Sequence, residues 1–219
     1  MDNIITIQIG TVVIRFQSSS SFKIAAEYGY ESFIVSDLIT PELTIEVQDT
    51  PPPSDALFEL VFSSTDGNIP LWNVYKNSKH YLIETFYPGS NNHIQAKAKI
   101  DFNSKVWSIF CLPQDDGHLY PMQYPMGPLL LYYTTLLSPS ILIHASGIVD
   151  GEKGRLFTAF SGTGKSTMAG LWHSKGSSVI NDDRLLLKIE DSGIKMFNTP
   201  MFYYDNIKSH PLNAIYLLN

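Results

Sequence analysis

Cysteine is almost absent from this sequence of 219 residues: Cys111 stands alone, so no disulfide can close within the chain and a reducing compartment suits it. Its setting, VWSIFCL, reads as a half-buried thiol rather than a nucleophile. Basic charge is also scarce. Fifteen Lys and Arg against twenty-one Asp and Glu leave a net charge of -6, and the basic residues are scattered, which excludes nucleic acid as a partner. Long apolar runs are missing, since none approaches the roughly 20 residues needed to span a bilayer. The first residues, MDNIITIQIG, carry an acid where an export signal needs positive charge. The expectation is a soluble, cytoplasmic protein with no membrane partner. No internal repeat or low-complexity tract is found. Five of the six histidines, His80, His93, His118, His173 and His210, have no metal-ligand spacing, so no transition-metal site is expected.

What is present is 44% hydrophobic content, enough to bury a core. From residue 3 to about 111 it falls into short β-branched and aromatic runs: ITIQI, TVVIRF, LTIEV, LFELVF, YLIETFY, IQAKAKI and VWSIFC. Several alternate apolar with polar, the period of a strand with one buried face. Tyr28-Gly29, Pro51-Pro52-Pro53, Asp66-Gly67 and Pro88-Gly89 supply the turns. The pattern predicts a mainly antiparallel β domain over residues 1–120, with no catalytic or metal spacing in it.

Near residue 112 the character changes. An irregular stretch precedes the Leu-rich run 128–137, which ends at Ser138-Pro139 and reads as a buried helix. Two β runs follow, ILIHASGIV and GRLFTAF, split by Asp150-Gly151 in the manner of a hairpin. They lead into AFSGTGKS.

In that segment Ala159, Gly164, Lys165 and Ser166 meet the pattern [AG]-x-x-x-x-G-K-[ST], with a further glycine at Gly162. A β run precedes it; Met168, Leu171 and Trp172 follow at helical spacing as far as Gly176, a C-terminal cap. Glycines let successive N–H groups turn inward, and a helix N-terminus adds partial positive charge where an anion would sit. Ser161, Gly162, Thr163, Gly164, Lys165, Ser166 and Thr167 are therefore the candidate contacts for ATP or another nucleoside triphosphate. Lys165 supplies charge to the β and γ phosphates, and Ser166 a hydroxyl to Mg2+. Asp182 follows Lys165 by 17 residues, within Asn181-Asp182-Asp183-Arg184 and directly after Val179-Ile180. Beside such a loop one aspartate can hold magnesium while the other accepts a proton. His144 precedes Lys165 by 21 residues inside an apolar run, where a histidine taken alone is most simply a core residue.

Taken together, LIHASGIV, SGTGKST and INDDR resemble the HPr serine kinase/phosphorylase family, which shares a core with phosphoenolpyruvate carboxykinase. The resemblance covers about 128–219 and implies an α+β fold: the antiparallel β domain, then an α/β P-loop kinase core over 121–219, short at its C-terminus. It implies that His144 partners the catalytic carboxylates and that Asp182 or Asp183 activates a serine hydroxyl. Ser166 and Asp183 are then the magnesium ligands, and a protein or peptide serine the acceptor. The sequence departs from the family in three places. The N-terminal domain is of another kind, like that of relatives thought to modify ribosomally made peptides. Thr167 stands where Glu is usual. Only 54 residues follow Lys165, without the family's later strands, phosphate-contacting arginine and C-terminal helices. The last run, AIYLLN, reads as an apolar strand with nothing after it to pair with, an edge that favours a homo-oligomer.

The leading expectation is a nucleotide-dependent serine kinase. Its alternative is a catalytically inactive nucleotide-binding regulator, a shortened remnant of such an enzyme. A carboxykinase-like enzyme acting on an organic acid is weaker, because no arginine cluster suited to a dicarboxylate is found.

Overall fold

Among the described residues strand outweighs helix by 51% to 12%, a mixed α+β protein dominated by large sheets. The computed structural model describes residues 3–50, 58–90, 93–200 and 208–218; the Pro51-Pro52-Pro53 breaker falls outside them. The chain divides into two compact units, residues 1–8 with 12–130 and residues 9–11 with 131–219. Among the described residues no helix is long and apolar enough to cross a membrane.

The first unit holds β1 (Asn3–Ile9), β2 (Val12–Ser18), β3 (Lys23–Ile24), β4 (Ile34–Val35), β5 (Leu43–Gln48), β6 (Glu59–Asp66), β7 (Ile69–Lys76), β8 (Tyr81–Phe86), β9 (Ile94–Ile100), β10 (Val106–Cys111) and β11 (His118–Leu119). Nine of these form one sheet in the order β4-β1-β2-β5-β10-β9-β8-β7-β6, and β3 pairs with β11. Strands β6 to β10 are an antiparallel meander, as the closely spaced turn residues dictate. The antiparallel expectation is corrected in the middle of the sheet, where β5 runs parallel to both β2 and β10. Alternation sets the faces: Leu43, Ile45 and Val47 of β5 are buried, whereas Glu46 and Gln48 are exposed. Strand β7 has no counterpart in the sequence reading; it carries Pro70, a residue poorly suited to a strand interior. The ladder shifts register between Ser64 and Thr65, and Pro70 pairs at that irregularity. Cys111 is buried, which pushes its thiol up to about 12 and leaves it inert.

The helix expected over 128–137 is present as α1 (Met126–Thr134) followed by a 3-10 turn, Thr135–Leu137.

The second unit is organised around β12 (Ser140–Asp150), which turns through Gly151 (φ 60) into β13 (Lys153–Thr158). Helix α2 (Lys165–His173) follows, then β14 (Ser178–Asn181), β15 (Arg184–Glu190), β16 (Gly193–Asn198), β17 (Ser209–Pro211) and β18 (Ala214–Leu217). The order is β17-β16-β15-β12-β13-β18, with β14 also on β12. The terminal run is not left unpaired: β18 lies parallel to β13, with Arg155 opposite Ala214 and Thr158 opposite Leu217. Phe157 stacks on Tyr216, and Arg155 reaches the Tyr216 hydroxyl at 2.9 Å. Its local sequence read as an orphan because its partner lies almost sixty residues earlier in the chain.

Two buried clusters fix this sheet. Ala145, Leu156, Ile180, Leu185, Leu187 and Met196 form one; Ile148, Phe157, Ala169 and Val179 form the other, with Met168 and Trp172 packed on it. The second seats α2 by its apolar side. The helix ends where Gly176 takes a φ of 91°, with Gly176 N donating to His173 O at 2.9 Å and Ser177 N to Trp172 O at 3.2 Å, the bond pair of a Schellman end. Leu156 is fully buried and comes from the strand that leads into the glycine loop. Leu156→Ala is expected to lower unfolding stability by about 2–5 kcal/mol, read as a lower urea midpoint at unchanged slope.

Candidate functional site

The glycine loop, residues 159–164, joins β13 to α2. It is anchored at its start, where Thr158 Oγ1 donates to the His144 carbonyl at 3.2 Å. Gly162 and Gly164 have φ values of 80° and 98°, a region that side-chain-bearing residues rarely adopt. A Cβ at Gly162 would meet nothing, so there it is backbone conformation that requires glycine. The carbonyl of Phe160 accepts three donors: Thr163 N at 3.4 Å, Thr163 Oγ1 at 2.8 Å and Lys165 Nζ at 3.2 Å. Lys165 Nζ also donates to Ala159 O at 3.3 Å, which folds the lysine back over its own loop.

Lys165 is buried, whereas Ser161, Gly162, Thr163, Ser166 and Thr167 are exposed and Gly164 is half-buried. Gly164 offers no side-chain cap to α2. The first-turn N–H groups of Lys165, Ser166 and Thr167 have no acceptor within the helix and lie at its positive end. A buried ammonium and a row of exposed amides together suit a polyanion.

Across β12, strands β14 and β15 follow one another along the same side, with a gap. Asn181 pairs with Gly147 and Arg184 with His144, so Asp182 and Asp183 fill the gap opposite Ala145 and Ser146. Ala145 N donates to Asp183 O at 3.0 Å and Ser146 Oγ to Asp182 O at 3.4 Å. The gap is held by Asn181, which is fully buried. Its Oδ1 accepts from Asp183 N at 2.9 Å and Arg184 N at 3.0 Å; its Nδ2 donates to Asn198 Oδ1 at 2.8 Å and Thr199 O at 3.2 Å. The aspartates thus lie in a fixed break between strands, directly past the end of β14.

The break turns the Asp183 carboxylate toward β12. Oδ1 stands 3.4 Å from His144 Nε2, and Oδ2 accepts from Arg184 at 2.8 Å. Partial burial and the Lys165 cation hold the His144 imidazole below its ordinary 6.5; Asp183 opposes them and Arg184 adds to them. The surroundings thus favour the neutral imidazole over the imidazolium. His144 and Asp183, distant in sequence, meet here, and Lys165 lies near enough for its charge to act on the imidazole; Asp182 is the neighbour of Asp183 and is half-buried. Asn181 and Arg184 were given no role by the sequence reading. The signal available for them was adjacency alone, within INDDR.

The donor set can be weighed against magnesium. Among the described residues no group of three or more His, Cys, Asp or Glu could cage a metal ion. Magnesium is ordinarily held by one or two carboxylates together with substrate phosphates and water, which a hydroxyl at Ser166 and a carboxylate at Asp183 fit. No protein-family model and no curated protein matches the sequence.

Two substitutions should move His144 in opposite directions. Lys165→Ala removes a repelling cation and should raise its titration midpoint toward 6.5; Asp183→Asn removes an attracting anion and should lower it. Imidazole chemical shifts followed against pH read both. A common direction would contradict the arrangement.

Proposed function

We propose that this chain is a P-loop phosphotransferase of the HPr kinase and phosphoenolpyruvate carboxykinase type, moving the terminal phosphoryl group of ATP to a serine hydroxyl of a protein or peptide. One observation carries the reading: the loop lysine, His144 and Asp183 converge in one unit although 21 and 18 residues of chain separate the outer two from Lys165.

In this reading the amides of 162–167 and the ammonium of Lys165 bind and orient the phosphates. Lys165 exchanges the carbonyls of Ala159 and Phe160 for phosphate oxygens. Ser166 and Asp183 would hold magnesium, which would supply charge neutralisation at the phosphates. Arg184 and His144 fix the direction of the Asp183 carboxylate from its two sides. Asp182 accepts the proton of the serine hydroxyl as the oxygen–phosphorus bond forms, and the nucleoside diphosphate leaves with the electron pair of the broken bond. Catalysis of this kind is mostly positioning, which is what a hydrogen-bonded break in a sheet provides.

Steady-state assays with radiolabelled ATP and synthetic serine peptides separate the two aspartates. Asp182→Asn should lower kcat by roughly 10²–10⁴-fold with ATP affinity unchanged. Asp183→Asn should abolish the gain in ATP affinity that magnesium gives. Transfer at the wild-type rate by Asp182→Asn, or wild-type ATP binding without transfer to any peptide, would count against the proposal.

A further inference from the structure

Phe160 is 93% exposed, an unusual position for a residue type that is among the most often buried. It is not exposed on a loose segment. Its carbonyl accepts from Thr163 N and Thr163 Oγ1, two bonds that hold the backbone presenting the ring whether or not Lys165 Nζ is also bonded there. An aromatic ring presented from a held backbone can anchor a partner, because it gives large contact area for little loss of conformational freedom.

Its place within the loop indicates which partner. The lysine of such a loop serves the β and γ phosphates, and Lys165 Nζ lies against the carbonyls of Ala159 and Phe160. Those residues therefore mark the terminal-phosphate end of the cradle, while the first turn of α2 closes the other end. Two residues before Phe160, Thr158 is bonded to the carbonyl of His144, which faces Asp183. On the phosphotransfer reading the acceptor comes to the terminal phosphate, and Phe160 lies at the end of the loop that the lysine and Thr158 tie to His144.

Building on the phosphotransfer reading, we propose that Phe160 is the apolar contact for the acceptor, and that the substrate is a protein or peptide segment carrying an aliphatic or aromatic side chain within a few residues of the phosphorylated serine. The ring touches substrate but takes no part in proton or phosphoryl transfer; its effect is on acceptor affinity and choice.

The test compares two sets of synthetic serine peptides of equal length with magnesium and ATP, one with alanine around the serine and one with a single Leu or Phe at each flanking position in turn. The wild-type chain should favour the best Leu or Phe peptide by at least tenfold in kcat/KM. Phe160→Ala should lose that preference through KM, with kcat and the Kd for ATP within twofold of wild type, and Phe160→Leu should keep most of it. The ring is exposed, so an unchanged melting temperature checks that both variants fold. Wild-type transfer that treats the two sets alike, or a preference that survives Phe160→Ala, overturns the inference and leaves the phosphotransfer reading standing. Loss of ATP affinity in Phe160→Ala overturns it by assigning the ring to the nucleobase. Transfer to no peptide by the wild-type chain overturns the phosphotransfer reading, and the inference with it.

Discussion

Everything at the candidate site depends on four hydrogen bonds made by one buried amide. Asn181 ends β14, and its side chain takes the two backbone N–H groups that the interrupted ladder leaves unpaired, Asp183 N and Arg184 N. Its own N–H groups are met by Asn198 and Thr199 from the end of β16 and just beyond it. A break in a sheet interior exposes backbone groups that cost free energy unless they are satisfied. Here they are satisfied by a side chain, so the chain can leave the ladder for two residues and return on the same side of β12. That departure brings the Asp183 carboxylate to His144.

Charge then explains why the pieces tolerate one another. Lys165 and Arg184 act on His144 as cations, and a protonated His144 would be a third. Partial burial and the two cations favour the neutral imidazole, while Asp183 pulls the other way. The glycine loop depends on the same economy of groups: among the described residues no acid pairs with Lys165, which donates its hydrogen bonds to backbone carbonyls of its own loop. A phosphate could replace those carbonyls with full negative charge. Such an exchange strengthens the interaction without any rearrangement of the strands.

Much of this was legible in the sequence, and the exceptions have physical causes. The alternating runs of the first half marked seven strands, because a half-buried strand has to alternate. They did not show that β5 is parallel to both neighbours, since alternation fixes faces and not direction. Strand β7 was missed; it carries Pro70, which a shift in register accommodates. In the second half the loop, the helix after it and the cap at Gly176 were readable because each rests on local backbone chemistry. The pairing of β18 with β13 was not, for it joins segments with no local sign of one another. The roles of Asn181 and Arg184 were likewise out of reach. An asparagine before two aspartates has no visible purpose until the ladder is seen to break there.

The central claim is that the loop and the interrupted strand form one site for a nucleoside triphosphate. The most direct measurement is a backbone-amide chemical-shift titration of the wild-type chain with ATP and magnesium. Saturable one-to-one binding is expected, with the largest shifts at residues 162–167 and a coupled change at His144 and Asp183. Shifts confined to other parts of the chain, or none at about 1 mM nucleotide, the upper end of ordinary enzyme affinities, would contradict it.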